Sequence, residues 1–273
     1  MRWELMTPPD FKKLAKEEQL CIVPVGSLER HGDHLPFGCD SFIAHKVACL
    51  AAEKEKCVVF PPYWFGQLHE ASCFTGSIVL SAELLLKLLE EVVDEIGRNG
   101  FKKILLLNGH GGNNGMLDFF SWATVDRNTP YSLYISPMIG AEWGKRTKKL
   151  SSELLETQPI GHACEYETSM MMAIVPEYVK MENQTMEEPI TALGRMKHLP
   201  GVYNGLSWFA DYPHQVIGCP GAGSAEKGNA FLKSLSEDLA ELIRAIKEDT
   251  AVESLKAEFM KKRSSVGSGS VVE

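Results

Sequence analysis

Two uninterrupted apolar runs, "LCIVPV" at residues 20–25 and "ILLL" at 104–107, limit the folds open to this chain. A strand with one solvated face alternates apolar and polar residues. A strand apolar at every position is covered on both faces, as in a parallel sheet between helices. The neighbouring sequence meets that condition. Strand-like segments "QLCIVPVGS", "CVVFPPYWFG", "KKILLLNGHGGNNG" and "YSLYISPMIG" are separated by "DSFIAHKVACLAAEKEK", "SAELLLKLLEEVVDEIGRNG" and "MLDFFSWATVDRN", whose apolar residues recur at helical spacing. Asp40 and Ser81 stand where helix caps are expected. The alternation predicts an α/β fold: a mostly parallel β-sheet flanked by helices on both faces. Further along, "EYETSMMMAIVPEYV" reads as a helix, residues 181–222 as long loops with short strands, and "SAEKGNAFLKSLSEDLAELIRAIKEDT" as a terminal helix. With no internal repeat and no linker, one domain is expected over 1–262, followed by a flexible tail at 263–273.

Bulk properties remove several function classes. A net charge of −8 disfavours nucleic acid, which needs a basic face. No apolar run approaches the length of a membrane span. The seven cysteines form no CxxC pair and several lie in apolar runs, the pattern of reduced core thiols in a cytoplasmic protein.

The chemistry concentrates where strands end. Residues 26–40, "GSLERHGDHLPFGCD", crowd acids and histidines directly behind the first buried strand. Buried charge is costly unless paired. In extended chain Glu29 and His31 point to the same side, and Asp40, opening the next helix, can fold back towards them. A second strand ends in "NGHGGN", which offers His110, with the backbone N–H groups of Gly111, Gly112 and Asn113 at a helix start able to hold substrate oxygens. A third cluster, "GHACEYETS", offers His162, Glu165 and Glu167, the two glutamates diverging whether extended or helical. In each case a single His or Asp is an ordinary loop residue; recurrence in three segments is what points to metal. Imidazole and carboxylate donors without Cys suit zinc, manganese or iron. Five such groups exceed the needs of one ion and fit two divalent ions sharing a carboxylate. His69 is a candidate substrate contact. Trp143, Trp208 and Phe209 read as packing, and His34, His45, His198 and His214 as structural.

Together "PVGSLERHGDHLPFGCDSFIA", "FTGSIVLS", "LLLNGHGGNNG", "GHACEYETSMMM" and "SAEKGNAF" resemble the creatininase (creatinine amidohydrolase) family, in the same order over roughly residues 18–245. The resemblance implies a single α/β domain, a dinuclear zinc or manganese centre, a small-molecule substrate and a homohexamer. It places one ion on Glu29, Asp40 and His110, the other on His31, Asp40 and Glu167, and makes His162 the proton carrier. Two departures separate this chain from creatininase proper. Gly112 stands where that enzyme has a glutamate thought to assist the catalytic water, and "LLETQPIGH" lacks its tryptophan. Glu165 is the expected replacement for the missing carboxylate. The "NGHGGN" form looks more like other branches: deformylases, a peptidase of redox-cofactor maturation, and a hydrolase opening a cyclic diketo-inositol. The expected activity is metal-dependent hydrolysis, an activated hydroxide attacking the carbonyl of a small cyclic or linear amide. Carbon–carbon hydrolysis of a cyclic diketone, creatininase proper and a metal-free binding protein are the alternatives.

Overall fold

The computed structural model describes residues 1–184 and 188–266. Strands β1 (Leu20–Val25), β2 (Val58–Val59), β3 (Lys103–Asn108) and β4 (Ser132–Ile135) form one parallel sheet in the order β2-β1-β3-β4. The helices in chain order are α1 (Pro8–Glu18), α2 (Cys39–Lys54), α3 (Ala82–Arg98), α4 (Asn113–Thr124), α5 (Lys145–Leu154), α6 (Glu165–Ile174), α7 (Ser207–Asp211), α8 (Ala225–Glu248) and α9 (Ala251–Ser265).

The two apolar runs are buried on both faces because alternate side chains enter different cores. Leu20 and Ile22 of β1, with Leu105 and Leu107 of β3, pack with α2, α6 and α8. Cys21, Val23 and Val25, with Ile104 and Leu106, pack on the opposite face with α1, α3 and α4. Each such side chain contributes about 1.5–3 kcal/mol on leaving water, so the central strands hold the molecule together. Ser81 caps α3 as expected, its hydroxyl accepting from the Leu84 N–H at 3.3 Å.

Several elements differ from expectation. The second strand shrinks to two residues: Phe60 N–H bonds Ile22 O and Tyr63 N–H bonds Pro24 O, but Pro61 and Pro62 between them have no N–H to donate. The helix expected over 165–179 stops at Ile174, before Pro176. Among the described residues of 181–222, the expected short strands reduce to one bridge, Ile190–Gly218. Asp40 is not a cap: Gly38 holds that position and Asp40 lies within the first turn, its carboxylate turned elsewhere. Of the tail expected at 263–273, residues 263–265 complete α9, and those beyond 266 lie outside the described residues. Among the described residues no helix is long and apolar enough to cross a membrane.

Strand order positions the chemistry. β1 and β3 are neighbours, yet the chain leaves β1 towards β2 and leaves β3 towards β4, on opposite sides. A crevice therefore opens at their carboxyl ends, where α/β sheets bind ligands.

Candidate metal centre

Two glycines let α2 descend into that crevice. A Cβ on Gly26 would stand 2.5 Å from the Ser41 nitrogen, and one on Gly109 2.7 Å from Ala44 Cβ. The close approach sets Asp40 between the two strand ends. Its Oδ2 accepts from Ser27 Oγ at 2.6 Å and lies 2.9 Å from His110 Nδ1; its Oδ1 lies 3.1 Å from His31 Nε2. Glu29 Oε2 is 3.2 Å from His110 Nδ1, and Glu167 Oε2 is 3.9 Å from His31 Nε2. The Ala163 N–H, in a left-handed turn at φ 54°, holds Glu167 Oε2 at 2.5 Å. The structure thus gathers Glu29, His31, Asp40, His110 and Glu167 in one cluster, the first four buried and Glu167 partly so.

The outer ring nitrogens fix the tautomers. His31 Nδ1 faces the Glu29 carbonyl at 3.1 Å, and His110 Nε2 faces the Gln67 carbonyl at 2.8 Å. A carbonyl only accepts, so those nitrogens carry hydrogen, and in the neutral rings the inner nitrogens present lone pairs. Lone pairs aimed at carboxylate oxygens about 3 Å away repel unless a cation stands between them.

Without metal, protons take that place. Burial alone would lower both histidines; the Cys39 thiol and Asp40 beside His31, and Glu29 and Asp40 beside His110, raise both well above the ordinary value. Burial alone would raise Asp40 and Glu29. The charges of His31 and His110 hold Asp40 well below the usual range, and those of His162, His110 and His31 lower Glu29. Glu167 is raised by burial, beyond what His31 and His162 offset. Glu29 Oε2 is buried and makes no hydrogen bond. An orphaned oxygen, inward lone pairs and outer N–H groups anchored on carbonyls fit divalent ions, with Glu29, Asp40 and His110 able to hold one and His31, Asp40 and Glu167 the other.

His162 borders the cluster. Its Nε2 donates to Arg30 O at 2.9 Å and lies 4.0 Å from Glu29 Oε1. The Trp208 ring stands edge-on to it at 5.5 Å, so Trp208, expected to be packing, is a neighbour of the site. Trp143 also differs: with Met138, Gly140 and Gly161 it lines a cavity of about 400 Å³ that reaches Asp40 and Glu167. An apolar groove of about 520 Å³ between α4 and α9 is larger, but no cluster residue lines it.

Three expected site residues lie elsewhere. Glu165 is buried, and its carboxylate is taken by Lys227 Nζ at 2.6 Å, Thr157 Oγ1 at 2.8 Å and the N–H groups of Glu156 and Thr157. It ties α6 to α8 and does not replace the carboxylate missing at Gly112. Asn113 is consumed internally: its N–H bonds His110 O, its Oδ1 accepts from Gln67 N, and its Nδ2 donates to Val25 O. His69 is exposed, with Nδ1 3.1 Å from Gln67 Oε1, outside the cluster. Gly111 and Gly112 do precede α4 at the crevice. The carboxylate beside Gly112 belongs to Glu70, from the 3₁₀ turn His69–Ala71: its Oε1 is 3.0 Å from where a Gly112 Cβ would be. Its sequence signal was faint, a lone acid in a loop 42 residues upstream.

An α/β fold with a candidate metal centre at the carboxyl ends of its parallel strands is the layout of a metal-dependent hydrolase. The chain matches the family model described as creatinine amidohydrolase over residues 4–243 and belongs to the creatininase family. It is 28% identical over 271 residues to the 3-dehydro-scyllo-inosose hydrolase of Thermotoga maritima, covering 90% of this chain and 83% of that one. It is 23% identical over 249 residues to the creatinine amidohydrolase of Pseudomonas putida, covering 85% and 91%. A solved creatininase mutant described as of the Zn-Zn type superposes with a TM-score of 0.74 at 20% identity, covering 91% and 98%.

Proposed function

We propose that this hydrolase uses two divalent ions, one on Glu29, Asp40 and His110 and one on His31, Asp40 and Glu167, to open or deformylate a small cyclic or linear amide. The observation that carries the reading is the pair of inward imidazole lone pairs converging on Asp40, from His31 at 3.1 Å and His110 at 2.9 Å. Zinc suits these donors, with manganese or iron as substitutes. When bound, the ions supply Lewis acidity and water activation at neutral pH.

The remaining steps fall to the chain itself. With Nε2–H committed to Arg30 O, the neutral His162 ring offers Nδ1 to take a proton and pass it to the leaving group. The N–H groups of Gly111 and Gly112, at the start of α4, face developing negative charge on the substrate. Met138 and Trp143 give the cavity an apolar wall against which a small ring can lie. A homo-oligomer, hexameric by the family resemblance, and a cytoplasmic location belong to the same reading.

A second reading keeps the ions and changes the bond: carbon–carbon hydrolysis of a cyclic diketone. The likeness to the inosose hydrolase over 90% of the chain favours it, and Gly112 in place of the creatininase glutamate weighs against creatinine. Zinc-reconstituted protein assayed for amine or formate release, beside acid release from a cyclic diketone, separates the two. Silence on amides with turnover of the diketone selects the second; full turnover by verified metal-free protein overturns both.

A further inference from the structure

We propose that Cys39 adds a thiolate to the ion held by His31 and Glu167, making the two metal positions chemically unequal. The inference rests on the two-ion reading above. Cys39 opens α2 immediately before Asp40 and is fully buried. Its Sγ, a ring nitrogen of His31 and a carboxylate oxygen of Glu167 all lie within 4.8 Å of one another. Donors ~2.0–2.3 Å from a tetrahedral ion stand roughly 3.3–3.8 Å apart, so this trio needs only small side-chain rotations to close on one.

Other cysteines differ in their surroundings. Cys21 and Cys57 pack into the two apolar cores, the Cys164 thiol donates to Gly161 O at 3.2 Å, and Cys73 is exposed. Among the described residues, Cys39 is the one thiol that joins an imidazole and a carboxylate in a group able to hold an ion. A second observation points to the same cluster: the buried Glu29 Oε2, which makes no hydrogen bond.

The consequence is a division between the positions. His31, Asp40, Glu167 and Cys39 would complete a four-coordinate set around one ion, the arrangement of a closed zinc site. Glu29, Asp40 and His110 supply three donors to the other ion and leave a place for substrate or water. A soft sulfur donor favours zinc at the first position, whereas oxygen and nitrogen donors at the second tolerate manganese.

X-ray absorption at the zinc edge on the full-length protein loaded with zinc tests this without any variant. The expected spectrum has a sulfur scatterer at about 2.3 Å, averaging one per two zinc ions. The Cys39→Ser variant should lose the sulfur and bind the tighter zinc more weakly by at least the roughly 10–100-fold that loss of a mere outer partner costs, with manganese affinity changed far less. Cys73→Ser should retain the sulfur, which excludes adventitious zinc on the exposed thiol. Two bound ions surrounded by nitrogen and oxygen alone overturn this proposal and leave the two-ion reading standing. A protein that binds no divalent ion overturns both. Cobalt-loaded protein gives an independent reading: thiolate-to-cobalt charge-transfer absorption, present in the unmodified chain and absent in Cys39→Ser.

Discussion

The ring of His162 lies over that of His31, with centroids 4.0 Å apart and planes inclined by 32°. Two imidazoles so close cannot both be cations at low cost, since like charges at this range repel. If His31 gives its inner lone pair to a metal, it stays uncharged, and His162 is free to gain and lose a proton beside it.

This stacking separates two roles that the raw distances leave close together, because His162, His31 and Glu29 also have ligand atoms within 4.8 Å of one another. Replacing His162 with Gln should lower turnover about 10²–10⁴-fold, the range of a lost general acid–base, with two ions per chain retained. Elemental analysis of the purified variant decides. Loss of an ion together with activity would move His162 into the coordination sphere.

Glu165 and Lys227 give a prediction of the opposite kind. The glutamate is almost fully buried and its ammonium partner lies at 2.6 Å. Lys227→Met removes that partner and leaves the carboxylate to the Thr157 hydroxyl and two backbone N–H groups, a change that costs about 1.5–3 kcal/mol, the worth of one hydrogen bond to a charged group. Urea unfolding should show the loss, while metal content and turnover per folded molecule stay at the level of the unmodified protein. A variant as stable as its parent but inactive would return Glu165 to the catalytic machinery.

What the sequence disclosed follows from how local each feature is. β1 and β3 were legible because burial on both faces leaves an unbroken apolar run, and α3 because its apolar stripe starts at a capping serine. The candidate donors just past β1 and β3 were legible because acids and histidines directly follow the first run and a histidine among glycines the second. α5 was not: it docks through hydrogen bonds of Thr147 to Asp238 and Ser234 and has few apolar residues to mark a face. Cys39 read as a core thiol since nothing in its sequence context separates burial against Leu from burial against His31. Glu70, on the 3₁₀ turn, and Trp208, on the five-residue α7, are carried to the site by irregular flanking segments whose paths depend on contacts far away in the chain. Glu165 misled because a glutamate in the right segment carries no mark of the lysine, 62 positions later, that occupies it.

Gly112 tests whether the crevice has room for the side chain that creatininase proper carries. A Cβ there would lie 2.5 Å from His110 Nε2, 2.7 Å from Gln67 O and 3.0 Å from Glu70 Oε1. Gly112→Ala should therefore break the His110–Gln67 hydrogen bond that orients the ring. Metal affinity at that position should fall about 10–100-fold, as when other outer partners of a ligating histidine are lost. Competition against a chromophoric chelator measures it. Gly112→Glu should not create creatinine hydrolysis, because Glu70 already fills the space.

His34, beside the cluster but not a member of it, gives the pH dependence. It is buried, its Nε2 lies 2.9 Å from Thr168 Oγ1, and burial, aided by the charge of His31, lowers its pKa to about 4. The unfolded chain takes up this proton near the ordinary value of 6.5, but the folded chain does not until about pH 4. The unfolded state therefore binds more protons across that window, and stability falls as pH falls through it. Between pH 7 and pH 5 the loss assignable to this ring is about 2 kcal/mol. His34→Gln keeps a polar partner for Thr168 and cannot titrate. The difference in unfolding free energy between the two proteins should shift by that amount in favour of the variant as pH is lowered, which paired urea titrations at the two pH values would measure. A constant difference would mean that His34 is protonated in the folded chain as readily as in the unfolded one.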